Sequence, residues 1–191
     1  MLNIVGAGLP RTGTASLAAA LEILGFDTLH HAPERLPLDN LADNLARSYD
    51  DVDAVVDAPA CVFWREIAES YRCKVILTRR EIKAWYQSIT WHHNKIMTGG
   101  DAKHVYYTRR LHALLFGSEH PQSWLWQSRF RQHNHAAVLS SMAKDGDLLV
   151  MNICDGGDKW DVLCPFLGVE EPDCDWPWKN KKPSSVNEAA A

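Results

Sequence analysis

The sequence predicts an α/β protein with one doubly wound parallel sheet flanked by helices. Short, fully apolar runs of strand length recur along the chain: Ile4-Val5, Asp53-Ala-Val-Val56, Lys74-Val-Ile-Leu-Thr78 and Asp147-Leu-Leu-Val-Met151. Such runs are what strands buried on both faces look like. Between them lie segments with helical apolar periodicity, and strands alternating with helices build parallel sheets. The 191 residues are enough for one well-buried core, and no segment has the composition of a linker. We expect a single domain over residues 1–178.

The first strand leads into Gly6-Ala-Gly-Leu-Pro-Arg-Thr-Gly-Thr14, a loop rich in glycine and threonine, and then into apolar residues at Leu17, Leu21 and Leu24 that read as a helix ending near Gly25. Strand, tight loop and helix start form an anion site, because loop amides and the positive end of the helix converge. Arg11 adds a fixed cation with planar donors. Asp27-Thr-Leu-His30 reads as the second strand and Leu38 to Ser48 as the next helix. Helices are then expected over Cys61 to Tyr71 and Ile82 to His92, and over His104 to Ala143 with breaks near Gly117 and Pro121. The tail from Lys179 to Ala191 has no periodicity and is expected to fray. Ligands of such sheets bind beyond the carboxyl ends of the strands.

The opening loop is neither of the two common nucleotide loops. A Walker A loop fits from Gly8 to Gly13 but then meets Thr14 where the lysine belongs and Ala15 where the Mg²⁺-holding hydroxyl belongs. A dinucleotide fingerprint starts at Gly6 and Gly8 but places Arg11 where the third glycine must allow close helix packing. A phosphate or sulfate cradle with its cation inside the loop remains, with no evident need for a metal. The net charge of −4 argues against general nucleic-acid binding, although a small anion needs only a local cation cluster. No apolar run reads as a signal peptide or a membrane span. The five cysteines are odd in number and lack paired C-x-x-C spacing, which suggests reduced thiols in a cytoplasmic protein. His92-His93 cannot share a helix face, and His133-x-His135 has no matching Cys, Asp or Glu cluster nearby, so neither reads as a metal site.

Gly8-Leu-Pro-Arg-Thr-Gly-Thr-Ala-Ser-Leu17 resembles the 5′-phosphosulfate loop of the sulfotransferases, in the P-loop-like branch that carries arginine where the better-known cytosolic enzymes carry lysine. Asp57-Ala-Pro-Ala-Cys-Val-Phe-Trp64, Lys74 through Ser88 and Trp160 through Gly168 are similar, in order and spacing, to later motifs of that branch. The resemblance implies transfer of a sulfuryl group from 3′-phosphoadenosine 5′-phosphosulfate (PAPS) to a hydroxyl or amine of a small-molecule acceptor, with no metal. It also implies that Pro10, Arg11, Thr12, Gly13, Thr14, Ala15 and Ser16 form the cradle, the Thr12 and Thr14 hydroxyls adding donors; Thr14 is alternatively a helix N-cap. Arg80, with Ser88 eight residues later, stands where the family grips the 3′-phosphate. Arg79 is a rival for Arg80, and Lys159 in Gly156-Gly-Asp-Lys159 is a further candidate for that phosphate.

The base is less evident. Asp57 occupies the place of the histidine in the cytosolic enzymes' His-x-Pro turn. An ordinary aspartate, with a pKa of about 3.9, is a weak base that partial burial would strengthen; Asp57 could instead cap a helix starting near Pro59. His31, after the second strand, is the second candidate. Ser16 stands where the cytosolic enzymes place an aromatic on the adenine, so that contact is missing. The eight tryptophans read first as core, Trp64, Trp85 and Trp160 above all. Acceptor choice falls to the helical segment over about 91–143. Two other classes stay open: a non-catalytic module binding the desulfonated nucleotide, 3′-phosphoadenosine 5′-phosphate (PAP), and an enzyme using ATP with Mg²⁺ or NAD.

Overall fold

The computed structural model describes residues 2–32 and 49–179. The helix expected over Leu38 to Ser48 lies outside the described residues, as do residues 180–191 of the expected tail. Five strands form one all-parallel sheet in the order β2-β3-β1-β4-β5: β1 (Ile4–Gly6), β2 (Thr28–His30), β3 (Ala54–Val56), β4 (Lys74–Thr78) and β5 (Leu148–Met151). Central β1 pairs Ile4 with both Ala54 of β3 and Lys74 of β4, and Val5 with Val55 and Val75. The chain leaves β1 for one edge, returns through β3, and crosses β1 to reach β4. All five carboxyl ends therefore point to one edge of the sheet, where ligands of doubly wound sheets gather.

Side-chain alternation divides the strands between two faces, and both are covered. Val5, Val55, Val75 and Leu77 pack with Trp64, Ile67 and Ala68 of helix α2 (Trp64–Tyr71). Ile4, Ala54, Val56 and Ile76 pack with Leu17 and Leu21 of α1 (Thr14–Ile23) and with Leu163 of α7 (Trp160–Leu167). This is the predicted fold class.

Helices α3 (Ile82–Gly99), α4 (Ala102–Phe116) and α5 (Ser123–Val138) share a third apolar cluster around Trp85, Phe116, Trp126 and Phe130. Trp85 is stacked on Phe130 at 4.2 Å between centroids and stands edge-on to Phe116 at 5.5 Å; pairs of this kind add about 0.5–1.5 kcal/mol each beyond their burial. A short α6 (Ser141–Asp145) leads into β5. Trp64, Trp85 and Trp160 are core residues as expected, whereas Trp124 is 80% exposed.

Three boundaries differ from the sequence reading. Before α2, residues 58–63 form successive tight turns, with Cys61 N–H donating to Asp57 O and Val62 N–H to Pro59 O, so the helix starts at Trp64 and not at Cys61. Helix α3 runs on from His92 to Gly99, its start fixed by the Glu81 carboxylate accepting from the amides of Lys83 and Ala84. This is the side-chain capping expected at a helix N-terminus. Lys179, assigned to the fraying tail, donates its N–H to Ser16 Oγ at 3.0 Å.

Candidate active site

The loop after β1 is anchored on every side. Ala7 N–H donates to Ile76 O, Trp85 Nε1 donates to Pro10 O at 3.0 Å, and His133 Nε2 lies 2.7 Å from Ala7 O. A Cβ on Gly8 would sit 1.9 Å from Thr78 Oγ1, so no larger residue lets the loop approach β4 so closely. Gly13, at φ 103°, caps α1 through its backbone. The expected N-cap role of Thr14 is thereby corrected, since Thr14 is the first helical residue and its hydroxyl turns elsewhere.

Both threonine hydroxyls differ from expectation. Thr12 is fully buried, its Oγ1 2.6 Å from Leu9 O and 2.6 Å from Thr78 Oγ1. Thr14 Oγ1 donates to Asp57 Oδ2 at 2.6 Å. The hydroxyls tie the loop to β4 and to the end of β3, which leaves the Thr14 and Ala15 amides at the start of α1 and the arginine as donors that an anion could meet there.

Arg11 Nε donates to Ser88 Oγ at 3.1 Å, and one terminal nitrogen of Arg80 donates to Arg11 O at 3.1 Å. The structure thus brings Arg11, Arg80 and Ser88 together, although Ser88 bonds to Arg11 where the sequence paired it with Arg80. Burial, and then the neighbouring Arg80, lower the pKa of Arg11. Two crowded cations with Arg80 Nε buried and unpartnered suit an anion between them. Arg79 lines two neighbouring pockets, which it shares with Arg80, and not the cavity that holds Arg11.

Asp57 follows β3 directly and is 8% exposed. Its Oδ1 accepts from the Ala58 amide at 2.7 Å, and Oδ2 lies 3.2 Å from His30 Nε2, a close contact short of hydrogen-bond alignment. Burial alone would raise the Asp57 pKa, but His30 and then Thr14 stabilise the charged form and the net shift is downward. The expectation that burial would make Asp57 more basic is therefore corrected. Nor does Asp57 cap a helix near Pro59, because turns follow it.

Arg11, His31 and Asp57 all have left-handed backbone, with φ of 74°, 57° and 70°. Such backbone costs about 1–3 kcal/mol per non-glycine residue and gathers at functional sites. All three line one cavity of about 440 Å³. Gly13, Thr14, Ala15, Ser16 and Arg80 line its cradle side, and Ile89, His92, Ile96, Leu111 and His112 its helical side. Burial raises the pKa of Cys154 in its wall, which leaves a protonated thiol.

The sequence reading ranked His31 above His30, yet His30 is the ring beside Asp57, while His31 packs edge-on against Tyr107 at 5.8 Å. Lys159 is absent from the cavity lining and sets its ammonium 5.6 Å from the Trp178 ring. Lys179 lines the cavity instead, and its place in a run of tail lysines gave no signal of this.

A glycine-containing loop with two arginines at the carboxyl ends of a parallel sheet, with a carboxylate beside an imidazole in the same cavity, makes this an α/β protein of the doubly wound, ligand-binding class. The chain's family is more specific: residues 3–185 match the family model described as "Sulfotransferase domain", and the chain belongs to the sulfotransferase family. A similar protein, "Ava biosynthesis cluster protein M" of Aspergillus versicolor, is 23% identical over 211 aligned residues that cover 92% of this chain and 80% of that one. No helix among the described residues is long and apolar enough to cross a membrane.

Proposed function

We propose that the protein transfers a sulfuryl group from PAPS to a hydroxyl or amine of a small-molecule acceptor. Transfer is in line, with the chain's arginines and not a metal meeting the developing charge. The observation that carries this reading is the pair of crowded guanidiniums over the start of α1, one donor of which is buried without a partner. PAPS supplies an already activated sulfuryl group. The protein's share is to align the groups and to stabilise charge on the peripheral oxygens.

In this reading the amides of Gly13, Thr14 and Ala15 hold the sulfate end of the donor, with Pro10, Thr12 and Ser16 shaping the loop. Arg11 neutralises the departing 5′-phosphate; it is not a proton donor, because arginine stays protonated. Arg80 takes the 3′-phosphate in preference to Arg79 and Lys159, because it lines the cavity and they do not; Ser88, outside that lining and accepting from Arg11, joins Arg80 by turning its hydroxyl proton to the phosphate. His30 receives the acceptor's proton, and Asp57 Oδ2, 3.2 Å from its Nε2, stabilises the imidazolium that forms. His31 is the second candidate for that step. General-base assistance of this kind is worth about 10²- to 10⁴-fold.

The test is a screen of hydroxyl- and amine-bearing acceptor libraries with sulfur-labelled PAPS in the presence of EDTA. Label is expected to move to at least one acceptor at an unchanged rate with or without chelator. Transfer that stops on chelation would reject the metal-independent mechanism.

A further inference from the structure

A row of three histidines with no part in the chemistry above runs behind the helical wall of the cavity and reaches it at His112. His93 of α3 engages both of its ring nitrogens: Nδ1 lies 3.1 Å from Nδ1 of His112 on α4, and Nε2 lies 3.1 Å from Nδ1 of His120. His93 and His112 are each 2% exposed. Trp126 stands edge-on to the two rings at 6.0 and 4.8 Å, and Phe116 flanks His112 at 5.6 Å. His93 gives a different nitrogen to each neighbour, so the three rings do not converge on one point. Among the described residues no group of three or more His, Cys, Asp or Glu is placed to hold a metal ion.

A neutral imidazole donates from one nitrogen and accepts at the other. With His93 doing both, the row has a single direction of donation, and it fixes the His112 ring in its aromatic slot. His112 lines the cavity; with Nδ1 committed to His93, Nε2 is the nitrogen left for a ligand. Burial first, then His93, holds the His112 pKa at about 3. Burial first, then Arg11, holds that of His92 at about 4. Both rings are uncharged at neutral pH, so beside the apolar surface of Ile89, Ile96 and Leu111 these two rings offer neutral hydrogen-bonding groups.

Resting on the sulfotransferase reading, we propose that His112 is a specificity residue of the acceptor site: its Nε2 hydrogen-bonds a second, non-reacting polar group of an uncharged acceptor whose apolar body lies against Ile89, Ile96 and Leu111. Depending on the direction of the row, Nε2 either accepts from a hydroxyl or donates to a carbonyl or ether oxygen. A hydroxyl serves either direction, since it donates and accepts.

Two probes with the same body separate this contact from general packing: para-phenylphenol and its diol counterpart, para,para′-biphenol. In calorimetric titrations of the PAP-loaded protein, the diol is expected to bind about tenfold more tightly, the worth of one net hydrogen bond. His112→Phe keeps an aromatic ring in the slot and should reduce the ratio to about one. A second measurement needs no variant: in nitrogen NMR of the histidine-labelled wild type, the diol should shift the His112 Nε2 resonance and the monophenol should not. Equal affinities in the wild type, a ratio unchanged in His112→Phe, failure of both probes to bind, or an unmoved His112 resonance would each overturn the proposal. The titrations are repeated without nucleotide. Failure to bind PAP would count against the sulfotransferase reading, while the probe ratio in the nucleotide-free protein still reports on His112.

Discussion

Replacing Arg11 with alanine should lower sulfuryl transfer by about 10³-fold or more, the scale at which removal of a preorganised charge donor acts on a transition state. Arg11 is held by Ser88 through Nε, and its carbonyl is held by Arg80, so its guanidinium is positioned before any ligand arrives. Substitution also removes one of two mutually repelling cations and, because alanine keeps a Cβ, leaves the left-handed backbone as it is. The variant should therefore fold with near-normal stability and lose activity much more than it loses structure. Arg11→Lys keeps a charge but forfeits the planar donor to Ser88, and should fall between the two. Steady-state kinetics with sulfur-labelled PAPS, run beside thermal unfolding, read both quantities. Turnover in Arg11→Ala within tenfold of wild type would remove Arg11 from the leaving-group position.

Asp57→Asn should lower kcat by about 10²- to 10⁴-fold and leave PAP affinity nearly intact. The amide oxygen can still accept from the Ala58 N–H, and the amide NH2 in place of Oδ2 can donate to Thr14 Oγ1 once that hydroxyl turns, so both contacts that hold the carboxylate now can be kept. What it cannot do is offer a negative charge to His30. Because the carboxylate pKa is depressed mainly by His30 and Thr14, Asp57 is a stabiliser of a neighbouring positive charge more than a proton acceptor. The loss should thus appear in kcat and not in nucleotide binding. Wild-type turnover in Asp57→Asn would dismiss the carboxylate–imidazole pair and move the base to His31 or elsewhere in the cavity.

Much of the fold was legible because its determinants are local. Val5, Val55 and Val75 sit in short runs buried on both faces, and such runs announce central strands whatever surrounds them. The strand–loop–helix unit around Gly6 to Thr14 was legible for the same reason, since its parts are contiguous. What escaped the sequence are contacts between residues far apart in the chain. The Thr14 hydroxyl turns to Asp57 and not to an anion, Ser88 meets Arg11 and not Arg80, and Lys179 reaches Ser16 across 163 residues. Each depends on how strand ends are juxtaposed, which periodicity does not encode. The sequence favours His31, and the structure adds His30, because the extended end of β2 carries His30 towards Asp57 before the chain turns at His31. The His93–His112 pair needed the packing of α3 on α4 to become visible.

The central claim is that the opening loop is a metal-independent phosphosulfate site, and ligand-dependent thermal unfolding tests it most directly. PAP, without Mg²⁺ and at about 100 times its dissociation constant, should stabilise the protein by about 2.7 kcal/mol. For a chain of this size that is a rise in Tm of about 5–10 °C. ATP with Mg²⁺ and NAD should leave Tm almost unchanged. Stabilisation by ATP with Mg²⁺ or by NAD, with none by PAP, would contradict it.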